Sequence, residues 1–240
     1  MFPVGLDVFL EYSGDTSNEL YTGGSAYVYQ MKEARGRGSD GQLMYSQSFG
    51  DLYVEVGTMI GDRSDLFSDS YHGVEVDHDN AKDAFLIRPV VSYKMGDFTV
   101  AASMETNLVS DAVVDTSGKD ISDRTGYGLT GNWSNDSWSV NANFAYLDAV
   151  DETAGLNALY NNFGIGYIYG ANEYDSTWAK GDVTVNTGYA SYEFQNVLEV
   201  QDFSVLLGTY YTTVDNETTN TSAFSEDDDF GARVRLYYEF

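Results

Sequence analysis

Four stretches of this chain repeat one pattern: "FGDLYVEVG" at 49–57, "MGDFTVAAS" at 95–103, "NDSWSVNAN" at 135–143 and "VQDFSVLLG" at 200–208. Each carries an Asp, then a large apolar residue, then Val two places on, at Val54, Val100, Val140 and Val205. Asp and Gly supply the backbone angles and local hydrogen bonds of short hairpin loops, so each stretch predicts a strand-to-strand reversal. Beyond each turn the apolar row continues with period two, as in Leu52, Val54, Val56 and in Trp138, Val140, Ala142, Phe144, Tyr146. The opposite rows are small or polar, for example Ser139, Asn141 and Asn143. Successive side chains of a strand point to opposite sides, so these are strands with one apolar face.

The connections at the other strand ends are long and polar: "GDRSDLFSDSYHGVEVDHDNAKD", "SDAVVDTSGKDISD", "DAVDETAGLNALYNN" and "DNETTNTSAFSEDDD". Short turns on one side and long loops on the other are the asymmetry of an outer-membrane barrel, whereas a sandwich places long connections at both ends. No linker or low-complexity tract interrupts the series, so residues 1–240 are expected to form a single domain. The fold class predicted is all-β, an antiparallel up-and-down transmembrane β-barrel of about twelve strands, with ten and fourteen open. Upward strands are placed from near Gly5, Leu52, Phe98, Trp138 and Phe203, and downward ones end near Phe49, Met95, Trp133 and Phe240. "FGIGYIYG" is expected to run downward, and "DVTVNTGYASYEFQNVLEV" is too long for one span and too short for two with a generous loop. "GGSAYVYQM" is a candidate strand projecting beyond the membrane.

Composition agrees with strands and tight turns: 20 Tyr, 13 Phe and 24 Gly stand against 2 Pro and no Cys. Without Cys there are no thiolate metal sites and no disulfides. Lys plus Arg number 12 and Asp plus Glu 38, a formal charge of −26, which argues against nucleic acid as a partner because phosphates need clustered cations. Solubility or adaptation to salt would also account for such acidity. No run approaches the ~20 apolar residues of a membrane helix, but barrel strands expose only alternate residues to lipid and leave a weak signal. "MFP" at the start has no basic or hydrophobic leader region, so a mature exported form is expected.

The final strand, "GARVRLYYEF", places Val234, Leu236, Tyr238 and Phe240 on one face and Arg233, Arg235, Tyr237 and Glu239 on the other. With its terminal Phe240 it resembles the assembly signal of Gram-negative outer-membrane β-barrels, and the chain as a whole resembles porin-like channels. The resemblance implies residence in the bacterial outer membrane, with lipid, lipopolysaccharide, the barrel assembly machinery and small solutes as partners and no cofactor. In size the chain is distantly similar to the small monomeric oligosaccharide-specific porins of twelve strands. Those line the lumen with many arginines; here only Arg88, Lys94, Arg233 and Arg235 fall at lumen-facing positions, so an acidic-sugar preference does not carry over. A cation or neutral-solute preference fits the charge better.

Charges along the strands test the barrel. In "AFLIRPVVSYKM" the row Phe85, Ile87, Pro89, Val91, Tyr93 is apolar, and Arg88 and Lys94 lie on the other row. In the first segment Leu6, Val8, Leu10 and Tyr12 oppose Asp7, Phe9 and Glu11. A charge facing lipid at the bilayer midplane costs roughly 2–4 kcal/mol, so the charged rows are assigned to the lumen. The expected pore lining is therefore Arg88, Lys94, Arg233 and Arg235 facing Asp7, Glu11, Glu55, Glu105 and Glu239. Such opposed charges either set a transverse field that tunes ion preference or pair to fill a narrow lumen.

Two rival functions remain. A barrel enzyme would have to use His72 and His78 in "YHGVEVDHDN", where a histidine beside carboxylates serves as a general base, although a solvated loop accounts for both. Asp77 and Asp79 do not complete an EF-hand pattern, and "SEDDD" at 225–229 is a solvated charge run before it is a divalent-ion site. The other rival is a closed structural or adhesive barrel acting through its acidic loops. A soluble β-protein would show the same alternation with the apolar row packed inside.

Overall fold

A computed structural model describes residues 41–62, 77–80, 82–123, 125–147, 151–175, 179–220 and 228–238. Eleven strands lie in this part of the chain: β1 (Gly41–Phe49), β2 (Leu52–Asp62), β3 (Asp83–Met95), β4 (Phe98–Asn107), β5 (Thr125–Ser134), β6 (Trp138–Leu147), β7 (Asp151–Tyr160), β8 (Phe163–Asp175), β9 (Lys180–Phe194), β10 (Phe203–Asn216) and β11 (Asp229–Tyr238). They form one sheet in sequence order, each strand antiparallel to the next. The all-β, up-and-down plan expected from the sequence is thus present.

The turn chemistry sets the strand ends where the sequence put them. β1 ends at Phe49 and β2 starts at Leu52 around Gly50, whose φ of 63° is a left-handed angle that a side chain resists. Gly96, with φ of 61°, does the same between β3 and β4. β6 starts at Trp138 and β10 at Phe203, also as expected. The segments around Gly5, "GGSAYVYQM", Asp7, Glu11, His72, Glu239 and Phe240 lie outside the described residues.

Two expectations are corrected. "DAVDETAGLNALYNN" is not a long loop: it contains β7, joined to β6 through residues 148–150 alone. "FGIGYIYG" consequently does not run downward; β8 follows the tight turn at Asn161 and Asn162 and runs in the same sense as β2, β4 and β6. The difficult stretch after it resolves into one long strand, β9, and a connection over residues 195–202. The loop-side connections therefore include short ones, 148–150 and 176–179, beside the long ones at 63–82, 108–124 and 217–228.

Burial on the two faces is inverted relative to a water-soluble sheet. Polar residues Glu55, Arg88, Ser103, Glu105, Asn141, Asn157, Thr187 and Thr212 are buried, while Leu43, Val91, Leu129, Leu156, Ile165, Val234 and Leu236 are exposed on the opposite face. At the short-turn end the exposed face carries aromatic contacts, Phe98 with Trp133 at 6.3 Å, Trp138 with Tyr160 at 4.6 Å and Phe203 with Tyr238 at 6.4 Å. Among the described residues charge reappears on this face only near the loop-proximal strand ends, as at Asp83, Glu152, Lys180, Asp182 and Asp215. An apolar, charge-free band bounded by aromatics is the outer surface of a membrane barrel.

The other face holds the packed interior. Towards the loop end Tyr174, Ala179, Val183, Val185 and Val214 form one apolar cluster across β8–β10. Ala84 and Leu86 of β3 form another with Ala112, from the loop that joins β4 to β5. That loop is tied down by Lys82 N–H to the Ala112 carbonyl at 2.7 Å and Asp77 N–H to the Val114 carbonyl at 2.9 Å.

Candidate functional site

The register fixes what each level of the inner wall presents. One row climbs across consecutive strands through Lys94, Thr99, Asn132, Asn141, Asn157, Gly166, Tyr189, Tyr210 and Gly231, from beside the β3–β4 turn to near the loop end of β11. Its central part is an amide ladder: Asn132 Nδ2 donates to Asn141 Oδ1 at 2.5 Å, and Asn141 Nδ2 donates to Asn157 Oδ1 at 2.9 Å. Asn141 and Asn157 are buried and Asn132 is half-buried, so the ladder ends on an amide that meets the lumen. Beyond it the wall turns aromatic. Tyr189 lies across Gly166, where an added Cβ would fall 2.3 Å from its ring, and Tyr210 lies across Gly231 in the same way.

One strand-level nearer the loops Thr187 and Thr212 share a 2.8 Å hydroxyl contact between β9 and β10. Three ionic groups gather on β2–β4. Arg88 stands opposite Gly57 of β2, and the register that pairs Ile87 with Thr106 and Val90 with Ser103 sets it across from Glu105 of β4. Glu55, opposite Val90, lies diagonally from it and accepts a 2.6 Å hydrogen bond from the Tyr53 hydroxyl. Exposure of 2% at Glu55, 5% at Arg88 and 7% at Glu105 makes this a desolvated acid–base–acid group. Unpaired charge so placed would cost several kcal/mol, which is why the three recur on adjacent strands.

The remaining expected residues lie apart from this group. Lys94 is exposed, near the short turn where its backbone N–H reaches the Asp51 carbonyl. Arg235 is on the inner face of β11, opposite Leu206, and Arg233 holds the inner register position opposite Gly208. Val234, Leu236 and Tyr238 are exposed on the outer face, as the terminal-strand pattern implies. Asn132, Asn157, Tyr189 and Tyr210 were not singled out from the sequence; polar alternation hints at Asn141 and Asn143, but only the pairing shows that the amides join.

The β4–β5 loop adds fixed negative charge above the wall. Burial works against ionisation of Asp115, yet the Ser117 hydroxyl, the backbone N–H groups of Lys119 and Ser117 and the Lys119 ammonium hold its carboxyl below the usual carboxylate range. At Asp120 burial is likewise outweighed, here by the Ser122 hydroxyl and the N–H groups of Asp111, Ser122 and Asp123. Asp77 accepts from Asp79 N–H and from the Asn80 amide, so its carboxylate caps a turn. Among the described residues no group of acidic or histidine side chains is arranged to hold a metal ion.

The family model described as "Porin-like glycoporin RafY" matches residues 1–240. Among solved structures, a porin refined at 1.8 Å is 16% identical, with 93% of this chain and 74% of that one covered and a TM-score of 0.55. A loop-deletion mutant of OmpT, an outer membrane protein of Vibrio cholerae, is 18% identical over 93% of this chain and 72% of that chain, with a TM-score of 0.48. OccK3 of Pseudomonas aeruginosa is 10% identical over 82% and 69%, with a TM-score of 0.43. No curated protein matches the chain in sequence. An inside-out sheet with an aromatic-bounded outer band and a polar inner wall is what a porin requires, and the chain belongs to the porin-like glycoporin RafY family, as an outer-membrane β-barrel channel for the diffusion of small solutes.

Proposed function

We propose that the channel favours neutral hydrophilic solutes of oligosaccharide type and, among ions, cations over anions. The observation that carries this reading is the uncharged part of the inner-wall row, from Thr99 to Tyr210, in which Thr99, Asn132 and Tyr210 are partly exposed and Asn141 and Asn157 hold Asn132 in place. Hydroxyls and amides exchange hydrogen bonds with a sugar's hydroxyls without demanding a charge from it. The glycoporin description of the family supports the same substrate class. The ionic group of Glu55, Arg88 and Glu105 sets two acids against one base, and the chain carries 38 acidic against 12 basic residues, so anions meet a repulsive field.

In this reading residues 1–240 make one barrel domain, with Asp7, Glu11, Lys94, Arg233, Arg235 and Glu239 completing the charged lining. Val234, Leu236, Tyr238 and Phe240 serve the assembly machinery, and the acidic loops meet lipopolysaccharide. The test uses protein refolded into liposomes. Swelling in a neutral oligosaccharide should outpace swelling in a uronate of equal length, and the zero-current potential in a salt gradient should show cation preference. Faster entry of the uronate, or no flux through folded protein, would overturn the proposal.

A further inference from the structure

The five described connections at the short-turn end are not alike. Four consist of glycine and polar residues: Gly50 and Asp51, Gly96 and Asp97, Asn135 to Ser137, and Asn161 and Asn162. The fifth, residues 195–202 between β9 and β10, contains Val197, Leu198 and Val200. Leu198 is 84% exposed, more than any other large apolar residue described, and Val200 is exposed beside it.

This exposure is built in. Leu198 has φ of 58° and Glu199 φ of 61°, left-handed angles that branched and bulky side chains resist. The turn is held in that shape by Glu199 N–H to the Asn196 carbonyl at 3.1 Å, Val200 N–H to the Val197 carbonyl at 3.2 Å and Asp202 N–H to Asn196 Oδ1 at 3.2 Å. A connection needing only to reverse the chain would take the two- or three-residue form of the other four. Here the backbone adopts an unfavourable conformation and presents a leucine away from the sheet.

Its flanks say what covers it. The turn leaves β9 at Phe194 and enters β10 at Phe203; Phe194 pairs in register with Val205 on the outer face, and Phe203 with Tyr238. Tyr192 meets Phe194 at 4.7 Å and Phe203 meets Tyr238 at 6.4 Å, so both ends of the turn issue from the aromatic girdle at the membrane boundary. We infer that the 195–202 turn is a lipid contact: short turns of outer-membrane barrels face the periplasm, and Leu198 and Val200 continue the girdle into the interfacial region of the inner leaflet and anchor the β9–β10 hairpin there. Apolar side chains carried past a girdle gain by leaving water, and the adjacent solvent that accepts them is phospholipid. Glu199 and Asp202, on the same turn, stay with water and limit its depth.

The chain contains no Cys, which makes a direct test available. Leu198→Cys and, as the reference, Asn161→Cys are each labelled with a nitroxide in the full-length protein, refolded into phosphatidylethanolamine–phosphatidylglycerol liposomes. Relaxation by oxygen, which enters the bilayer, is compared with relaxation by a nickel chelate, which stays in water. The oxygen-to-nickel ratio at position 198 should exceed that at position 161 several-fold. Equal ratios would place the turn in water and overturn the inference. Protection from both relaxants would also overturn it, because a protein surface, such as a second copy of the chain, would then be the cover. Val200→Cys provides a second position with the same expectation.

Discussion

Asn141 of β6 and Asn157 of β7 share a 2.9 Å amide hydrogen bond on the inner wall, and both are buried among other polar groups. Replacing Asn141 by Ala removes the donor to Asn157 and the acceptor used by Asn132 at once. Leaving such groups without partners costs about 1–3 kcal/mol. Asn141→Ala should therefore lower the urea midpoint of the refolded barrel by that equivalent, and Asn141→Asp, which adds an uncompensated charge, should lower it further.

Arg88 offers a sharper case. Arg88→Met leaves Glu55 and Glu105 facing each other without the intervening cation, and breaking a desolvated charge group in this way costs roughly 3–5 kcal/mol. The companion variant Arg88→Met/Glu105→Gln should be less destabilised than Arg88→Met alone. A double-mutant cycle on unfolding free energies checks this, and additivity within error would show that the two residues do not interact.

Gly166 is held to its identity by Tyr189. An added Cβ would lie 2.3 Å from the tyrosine ring, so Gly166→Ala forces the ring off the wall at a cost of about 1–3 kcal/mol. Tyr189→Ser makes room, and the pair should cost less together than the sum of the two single changes. Because the displaced ring enters the lumen, single-channel conductance of Gly166→Ala should fall relative to the parent.

Acid should loosen the β4–β5 loop before it unfolds the strands. Asp115 and Asp120 have folded-state pKa values below their ordinary value of 3.8, so the stabilisation they provide is complete above about pH 4 and is lost as the pH falls through the lower folded values. Hydrogen exchange over residues 108–123 should accelerate below pH 4 while β5 and β6 remain protected. Asp120→Asn, which cannot ionise, should already exchange faster at pH 7 and show less of the acid step.

Strand positions were legible because two independent signals coincide there. At Leu52, Phe98, Trp138 and Phe203 a turn residue is followed by an apolar, interface-seeking side chain and then by strict alternation. β7 escaped because its outer row, Glu152, Ala154, Leu156, Ala158 and Tyr160, begins with an acid and includes two alanines, while its inner row includes Leu159. The contrast between faces, on which alternation depends, is weak there. The error then reversed the sense assigned to β8. At the inner wall, period two places Arg88, Glu55 and Glu105 on the correct face, but not next to one another. Their proximity is a property of register, and nothing local in "LIRPV" or "SMETN" encodes it. The amide ladder was hidden for the same reason, since its members come from three separate strands.

Every described pairing joins strands adjacent in sequence, and this has a consequence for how the sheet comes together. Closing a short hairpin involves little loss of chain entropy, so growth can proceed hairpin by hairpin without waiting for distant segments. The same arrangement makes errors heritable. Each strand takes its alignment from its predecessor, and a slip of one residue turns an apolar row towards the lumen and a polar row towards lipid. A mistake between β3 and β4 would thus be copied into every strand that follows. Fidelity at each turn, more than the strength of any single contact, decides whether the last strand arrives with the correct face outward.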